Sequence, residues 1–314
     1  MRLRLLAVSS LLTLAAVASA ADPHLLKLVM PDAKVVSGVD IDKVMGTPFG
    51  QFFLSQLPGP DAGFQEFVTA TGFDPRRDVH EILMASTGDP AKRSGLLIVR
   101  ADFDAARIVS LFTAMGNTPE TYQGVQILSH GAPKKANAVE EAFAFIDNST
   151  AVAGDLASVR GAIDRRNSAG GALDAGLSGK IATTSANQDA WVVSIVPISS
   201  FANMAPNKNI SGALQGDLIK GIQQSSGGVK FGNMIEISGE LTARSDQDAS
   251  SLADVVKFFM NMAQMNAPGQ AQLGALLKTL TVNTEANAVK VSVAIPENQV
   301  EMLFKMAHHQ TPRI

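Results

Sequence analysis

Residues 288–295 read AVKVSVAI, and this stretch decides the fold class. Apolar and polar side chains alternate along it with a period of two: Val289, Val291, Val293 and Ile295 oppose Lys290 and Ser292. The stretch 235–241, IEISGEL, alternates in the same way. One apolar and one polar face are typical of half-exposed strands in an antiparallel sheet, because a parallel strand covered on both sides is apolar on both faces.

Other segments predict buried strands and amphipathic helices. The runs that read as mid-sheet strands are 33–39, 95–99, 143–146 and 191–196. Asp104 and Asp155 each precede a run with apolar residues at spacings of three and four, so each is predicted to cap a helix. Further helices are expected from near Ser250 and after Pro296. The fold class is therefore α+β, with mainly antiparallel sheet covered by amphipathic helices.

The order of these segments predicts two similar halves. A cluster of Thr, Ser and Asn before Gln188 favours a first α+β domain over 21–187 and a second over 188–314. Each half begins with a strand and a helical stretch, through residues 52–57 in the first and 214–222 in the second. An internal duplication explains this order, and so does the general tendency of α+β chains to alternate their elements.

The first twenty residues have the features of an export signal. Arg2 and Arg4 precede an apolar run over 5–16, and Ala18-Ser19-Ala20 fits the small-x-small rule for signal peptidase. Cleavage after Ala20 predicts a protein in the periplasm or outside the cell. The chain has no cysteine, which excludes disulfides and a lipid-modified N-terminal cysteine. No second apolar run is long enough to span a bilayer.

The charge balance argues against nucleic-acid binding. Loss of Arg2 and Arg4 leaves 24 basic side chains against 29 acidic ones, a net charge near −5. Nucleic-acid binders cluster lysine and arginine on one face, whereas the basic doublets here lie among carboxylates.

Motifs for catalysis, metals and cofactors fail on their required residues. His80-Glu81 begins like a zinc-protease helix, but Met84 stands where the second histidine is needed. The stretch Gly171–Lys180 lacks both the spacing and the hydroxyl of a phosphate-binding loop, and no serine lies in a Gly-x-Ser-x-Gly elbow. We therefore assign no catalytic, metal or cofactor residue and expect no cofactor. The failed motifs favour a protein that is not an enzyme.

A methionine-rich helix supplies the one tentative site. Met260 and Met265 exceed what a single core-facing stripe requires, and Phe259 of that stripe adjoins Met260. Methionine lines adaptable apolar sites, so these residues are a candidate surface for a hydrophobic ligand or a partner protein. A stripe that packs into the core is the plainer interpretation.

Several phrases of the sequence are together similar to a known group of proteins. They are PDAKVVSGVD at 31–40, TPFGQF at 47–52, GFDPRRDV at 72–79, VRADFD at 99–104, YQGV at 122–125, AGD at 153–155 and VRGAID at 159–164. The chain resembles, mainly over residues 31–166, a family of exported bacterial proteins of unknown function. The resemblance implies a location in the bacterial envelope and no assigned activity.

The sequence therefore predicts a non-catalytic binding or scaffolding protein of the bacterial cell envelope. The alternative is a carrier of a lipid or another hydrophobic ligand, and a hydrolase with an unrecognised site comes third. A deep apolar pocket favours the carrier, and an open apolar surface favours a protein partner. His80 or His130 beside carboxylates in a cleft favours an enzyme.

Overall fold

In the computed structural model, twelve antiparallel strands form one sheet. The structure describes residues 21–57, 59–89, 92, 94–129, 139–168, 173–197, 217–265 and 279–309. The leader at 1–20 lies outside these residues. The sheet order is β11-β12-β10-β9-β8-β1-β2-β3-β7-β6-β5-β4. The α+β class and the antiparallel pairing predicted from the sequence are confirmed.

The strands and helices have the following bounds. The strands are β1 Val35–Asp40, β2 Val79–Ser86, β3 Gly95–Ala101, β4 Thr118–Tyr122, β5 Val125–Ser129, β6 Glu141–Phe145, β7 Thr150–Asp155, β8 Ala190–Ser194, β9 Ile222–Lys230, β10 Met234–Ala243, β11 Thr281–Glu285 and β12 Ala288–Pro296. The helices are α1 Pro23–Lys27, α2 Ile41–Met45, α3 Pro48–Gln56, α4 Ala62–Thr71, α5 Pro75–Asp78, α6 Ala105–Ala114, α7 Leu156–Asn167, α8 Ala175–Asn187, α9 Asp217–Lys220, α10 Asp246–Met265 and α11 Glu297–His309.

Aspartates begin many of the helices. The carboxylate of Asp104 accepts a hydrogen bond from the backbone N–H of Arg107 at 3.1 Å, and that of Asp155 accepts from Ser158 at 2.9 Å. Both predicted caps are confirmed. Asp174, in the stretch that superficially resembles a phosphate loop, caps α8 through the N–H of Leu177 at 3.0 Å. These carboxylates satisfy backbone donors that the first helical turn leaves unpaired.

One face of the central strands carries the main hydrophobic core. Helices α1, α7 and α8 cover it, and their buried residues Leu25, Ile163 and Leu177 pack in one cluster with Leu83 of β2 and Trp191 of β8. Gly38 of β1 lies between the last two, and a Cβ there would come within 2.6 Å of both side chains. Glycine at this position therefore makes room for the indole ring. We call this side the covered face.

The two halves of the sheet follow the same strand order. In the first half the order outward from the centre is β1-β2-β3-β7-β6-β5-β4, and in the second it is β8-β9-β10-β12-β11. In both, the third strand leads into a long helix, α6 or α10, and the last strand of the half returns to pair with the third. Strands β1 and β8 pair at the centre.

A β-bulge occurs at the same place in each half. His80 is the extra residue near the start of β2 opposite the end of β3, and Gln223 is the extra residue near the start of β9 opposite the end of β10. This shared irregularity is what an internal duplication predicts, since bulges are retained as structural features.

The sheet also runs across the predicted domain boundary. Strand β8 follows Gln188 but contributes Trp191 and Val193 to the main core, while a smaller cluster including Leu252 and Val289 lies under α10. The division into domains at 187/188 stays a prediction.

The helical stretch predicted around 214–222 is confirmed in the residues that the structure describes, where it ends at Lys220. Only α9, Asp217–Lys220, is helical in the described part of 214–222, and Ile222 begins β9. Strand β9 hydrogen-bonds to β8 on one side and β10 on the other. This pairing ends the helical segment before Ile222.

Candidate binding face of the sheet

The side of the sheet opposite the covered face is exposed at its centre. Val192, Ser37, Met84, Leu97 and Ala153 lie directly opposite one another on five neighbouring strands, β8, β1, β2, β3 and β7. Cross-strand partners share a face, so these five side chains form one line. Met84 is 57% exposed and Val192 is 43% exposed. We call this line and the adjoining Val35 the open face.

Two helices stand at the ends of the open face. Beyond Ala153 the line continues to Phe143 of β6, whose ring lies 4.9 Å from that of Phe112 on α6. Beyond Val192 it continues through Gly227 and Gly239 to Val291, which packs against the core cluster under α10. The open face is therefore the floor of a trough with α6 and α10 as its walls.

The floor is broad and shallow. Its five strands span about 19 Å at the usual spacing between strands. A hollow of about 370 Å³ lies over part of it, lined by residues that include Val35, Met84, Leu97 and Ala153. The lining is apolar except for groups such as Ser37 and Ser86. Contiguous apolar surface of this kind is typical of a contact site.

The tentative site residues lie on one wall of the trough. Phe259, Met260 and Met265 belong to α10, and the side chain of Met260 is half-buried. The side chains of Phe259 and Met265 lie outside the described part of the structure. Whether these three residues form a binding surface therefore stays a prediction.

A second hollow lies between α8 and the second half of the sheet. It measures about 410 Å³ and has a largely polar lining that includes Thr183, Gln188, Ser238 and Asn283. Lys180 on α8 forms an ion pair with Glu240 of β10 in this hollow. The pair joins the two halves of the chain.

His80 is held between two carboxylates. Its Nδ1 lies 2.9 Å from Asp42 Oδ1 on α2, and its Nε2 lies 3.1 Å from Asp102 Oδ2 after β3. Carboxylates only accept hydrogen bonds, so the doubly protonated imidazolium fits both contacts best. The hydrogen bond to Asp42 raises the pKa of His80, against a smaller opposing effect of burial, and Asp102 raises it further.

The two contacts of His80 link α2 to the segment after β3, which is a structural role. With both ring nitrogens bound to carboxylates, His80 has no nitrogen in contact with a nucleophile, which a general base requires. His130 lies outside the described residues. Within the described residues, no three His, Asp or Glu side chains group so as to hold a metal ion.

The sequence did not predict the open face or the partners of His80. By sequence, Met84 marks only the position where a zinc motif fails. The signal for the open face in the sequence is that β2 is apolar on both sides: Ile82 and Met84 alternate with Leu83 and Ala85, which are buried.

The architecture defines the chain as an α+β protein built on one open antiparallel sheet, and solved structures share it. The chain is similar to TP0453 in crystal form III, with a TM-score of 0.55, 7% identity and coverage of 89% of this chain and 96% of that chain. Crystal forms I and IV of TP0453 give TM-scores of 0.51 and 0.52 at 8% and 10% identity, covering 90% and 91% of this chain and 97% of theirs. At such identities the likeness is one of fold alone.

The other comparisons give no assignment. The sequence matches no protein-family model, and no curated protein matches it. The family resemblance over residues 31–166 stays a prediction. Among the described helices, none combines the length and apolar character needed to cross a membrane.

Proposed function

We propose that this chain is a non-catalytic binding or scaffolding protein of the bacterial cell envelope, and that a partner protein docks on the open face. The observation that carries the proposal is the exposure of Met84 and Val192 in the middle of an apolar floor. Burying them against a partner is favourable at roughly 25 cal/mol per Å² of apolar surface removed from water.

The dimensions of the trough favour a protein partner. A helix with its side chains is about 10 Å across, so the floor of about 19 Å accommodates one with room for flanking contacts. A small ligand in the hollow beside Met84 would stay exposed on one side. Ligand pockets, in contrast, bury most of their ligand's surface.

The second candidate is a carrier of an acyl chain or a similar ligand. The apolar lining of the hollow, with Val35, Leu97 and Ala153, supports it. Met260 on α10 is a half-buried soft apolar side chain on the second half of the sheet. The same experiment separates this candidate from the first.

Site-specific photo-crosslinking in the protein's own cells tests the proposal. A benzophenone amino acid replaces Met84 or Val192 on the open face, and Ala182, exposed on α8 at the covered face, is the matched control. We expect the photo-reactive residue at position 84 or 192 to crosslink this chain to one discrete protein, and the residue at position 182 to give no such crosslink. A lipid mass adduct at 84 and 192 instead favours the carrier.

A substitution on the floor checks that the crosslink reports binding. Met84→Asp places a charge on the floor, and because Met84 is already exposed its effect on the free energy of unfolding is expected to be about 0.5 kcal/mol or less. It should abolish the crosslink from position 192. Equal crosslinking from 84, 192 and 182 would contradict docking on the open face.

A further inference from the structure

The described part of the chain begins at Ala21, which lies in the hydrophobic core. This residue is 7% exposed, and its backbone nitrogen donates a hydrogen bond to Ser185 Oγ on α8 at 3.1 Å. Ser185 is itself 2% exposed. Leu25 and Leu28, a few residues on, belong to the same core cluster as Ala21. Ala21 is also the residue that directly follows the predicted signal-peptidase site.

A buried carboxylate lies close to the Ala21 nitrogen. Glu81 of β2 is 8% exposed, and its Oε1 accepts a hydrogen bond from the Asp22 backbone nitrogen at 3.2 Å. Three covalent bonds separate the Asp22 nitrogen from that of Ala21, so the two nitrogens are at most about 3.7 Å apart. Glu81 Oε1 therefore lies within about 7 Å of the Ala21 nitrogen.

The surroundings of Glu81 carry more negative than positive charge. Arg100 contacts Glu81 at 3.5 Å, and Lys43 contacts Asp40 at 3.2 Å, while Asp22 supplies a third carboxylate. Burial raises the pKa of Glu81. The hydrogen bond from the Asp22 backbone and the charge of Arg100 oppose this rise, and the charges of Asp22 and Asp40 add to it. A further cation at this place would stabilise ionised Glu81.

We propose that removal of the leader creates this cation, and that the new α-ammonium group of Ala21 is seated in the folded protein between Ser185 and Glu81. Water adds across the Ala20–Ala21 peptide bond, leaving a carboxylate on Ala20 and the ammonium group on Ala21. The proposal rests on the predicted cleavage after Ala20 and not on which partner binds the open face.

Cleavage changes the hydrogen-bonding capacity of the Ala21 nitrogen. As an amide it has one N–H, which donates its hydrogen bond to Ser185 Oγ. As an ammonium it has three N–H donors and a full charge. A buried charge is tolerated only when it is paired and hydrogen-bonded: Ser185 already accepts a hydrogen bond from this nitrogen, and Glu81, which accepts from the neighbouring Asp22 nitrogen, is the nearby opposite charge. Maturation thereby strengthens the attachment of α1 to the core.

Two purified chains test the proposal. One begins at Ala21, released from an N-terminal fusion by a protease that leaves no extra residue, and the other carries Gly-Ser before Ala21. The extension replaces the ammonium by an amide and moves the charge away. We expect the extended chain to have a thermal midpoint roughly 3–6 °C lower, as for loss of a partly buried ion pair in a protein of this size.

Glu81→Gln in both chains identifies the partner. It should lower the midpoint of the chain that begins at Ala21 and have a clearly smaller effect on the extended chain. Glu120→Gln is the matched control, because Glu120 pairs with Arg160 at the surface and should act equally in both chains. If Glu81→Gln does not fold, Ser185→Ala takes its place in the same comparison.

The outcomes separate seating from cleavage. Equal midpoints for the two unsubstituted chains, or equal effects of Glu81→Gln in both, would overturn the seating of the ammonium. Intact-mass analysis of protein from its own cells should show Ala21 as the first residue, and any other first residue would overturn the cleavage. Neither result depends on crosslinking from the open face.

Discussion

At the scale of single residues, His80 shows how a bulge can place a side chain. The extra residue in β2 turns the imidazole toward Asp42 on α2 and Asp102 after β3, which joins a helix to the ends of two strands. Asp78, just before β2, interacts with His80 through its charge. The pKa of Asp78 is lowered mainly by the hydrogen bond from Arg77, then by the hydrogen bond from the Asp74 backbone, and to a smaller extent by the charge of His80. The link is therefore sensitive to pH.

His80→Gln is expected to destabilise the protein at low pH more than at high pH. The pKa of His80 is raised in the folded state, so its contribution is complete below the unfolded value of about 6.5 and is lost as the pH rises through the folded value. Because both carboxylates are exposed, the cost at pH 5.5 should be only about 0.5–1 kcal/mol. Urea unfolding at pH 5.5 and pH 9 measures it.

The control for this prediction is His24→Gln. His24 is an exposed residue of α1, and its substitution should cost little at either pH. If His80→Gln lowers the free energy of unfolding by the same amount at pH 5.5 and pH 9, the contacts of the imidazolium do not contribute to stability.

At the scale of elements, Asp155 connects a helix to two strands. It ends β7 and caps α7, accepting from the Ser158 N–H at 2.9 Å, and it also accepts from the Gly95 N–H of β3 at 3.1 Å. Burial tends to raise the pKa of Asp155, but the hydrogen bonds from Ser158, Gly95 and Ser94 outweigh it and the pKa is lowered.

Asp155→Ala should lower the free energy of unfolding by about 1–2 kcal/mol at pH 7, the usual cost of losing a helix cap. Because the folded pKa is below the unfolded one, the stabilisation is present above the unfolded pKa of about 3.9 and is lost as the pH falls through the folded value. Chemical denaturation at pH 7 and at about pH 2.5 measures both effects.

Asp155→Asn is the matched variant for this cap. Asparagine has one acceptor oxygen and no charge, so it can keep the cap on the Ser158 N–H but not also accept from the Gly95 N–H. It should retain part of the stability at pH 7 and show a weaker dependence on pH. An alanine variant as stable as the original chain would mean that Asp155 does not hold α7.

At the scale of the whole molecule, position in the sheet sets local stability. Strand β1 pairs with β8 and β2 and lies over the main core, whereas β4 and β11 form the edges and are largely exposed. The hydrogen bonds of backbone amides in the central strands therefore break only when much of the sheet unfolds, whereas those at the edges break in local openings.

Hydrogen exchange followed by mass spectrometry should reflect this order. We expect amides of β1 and β8 to exchange at least about a hundredfold more slowly than those of β4 and β11. Strand β8 is the informative case, because it follows the predicted domain boundary yet packs Trp191 and Val193 in the main core. Exchange of β8 at the rate of β11 would show that the halves open separately.

The local elements were predictable because their signals are local. The caps Asp104 and Asp155 and the alternation through Val289 and Val291 depend on neighbours a few residues away. The point where α9 ends was not predictable, because the pairing of β9 with β8 and β10 decides the structure after Gly221.

The sequence by itself determined the fold class and the absence of disulfides, and predicted the leader, since periodicity, composition and spacing are properties of the chain alone. Only the tertiary structure decided that Met84 and Val192 share one exposed floor, that His80 meets Asp42 and Asp102, and that Ala21 is buried near Glu81. The reason is that register across a sheet joins residues far apart in the chain, and a single sequence does not specify which strands pair.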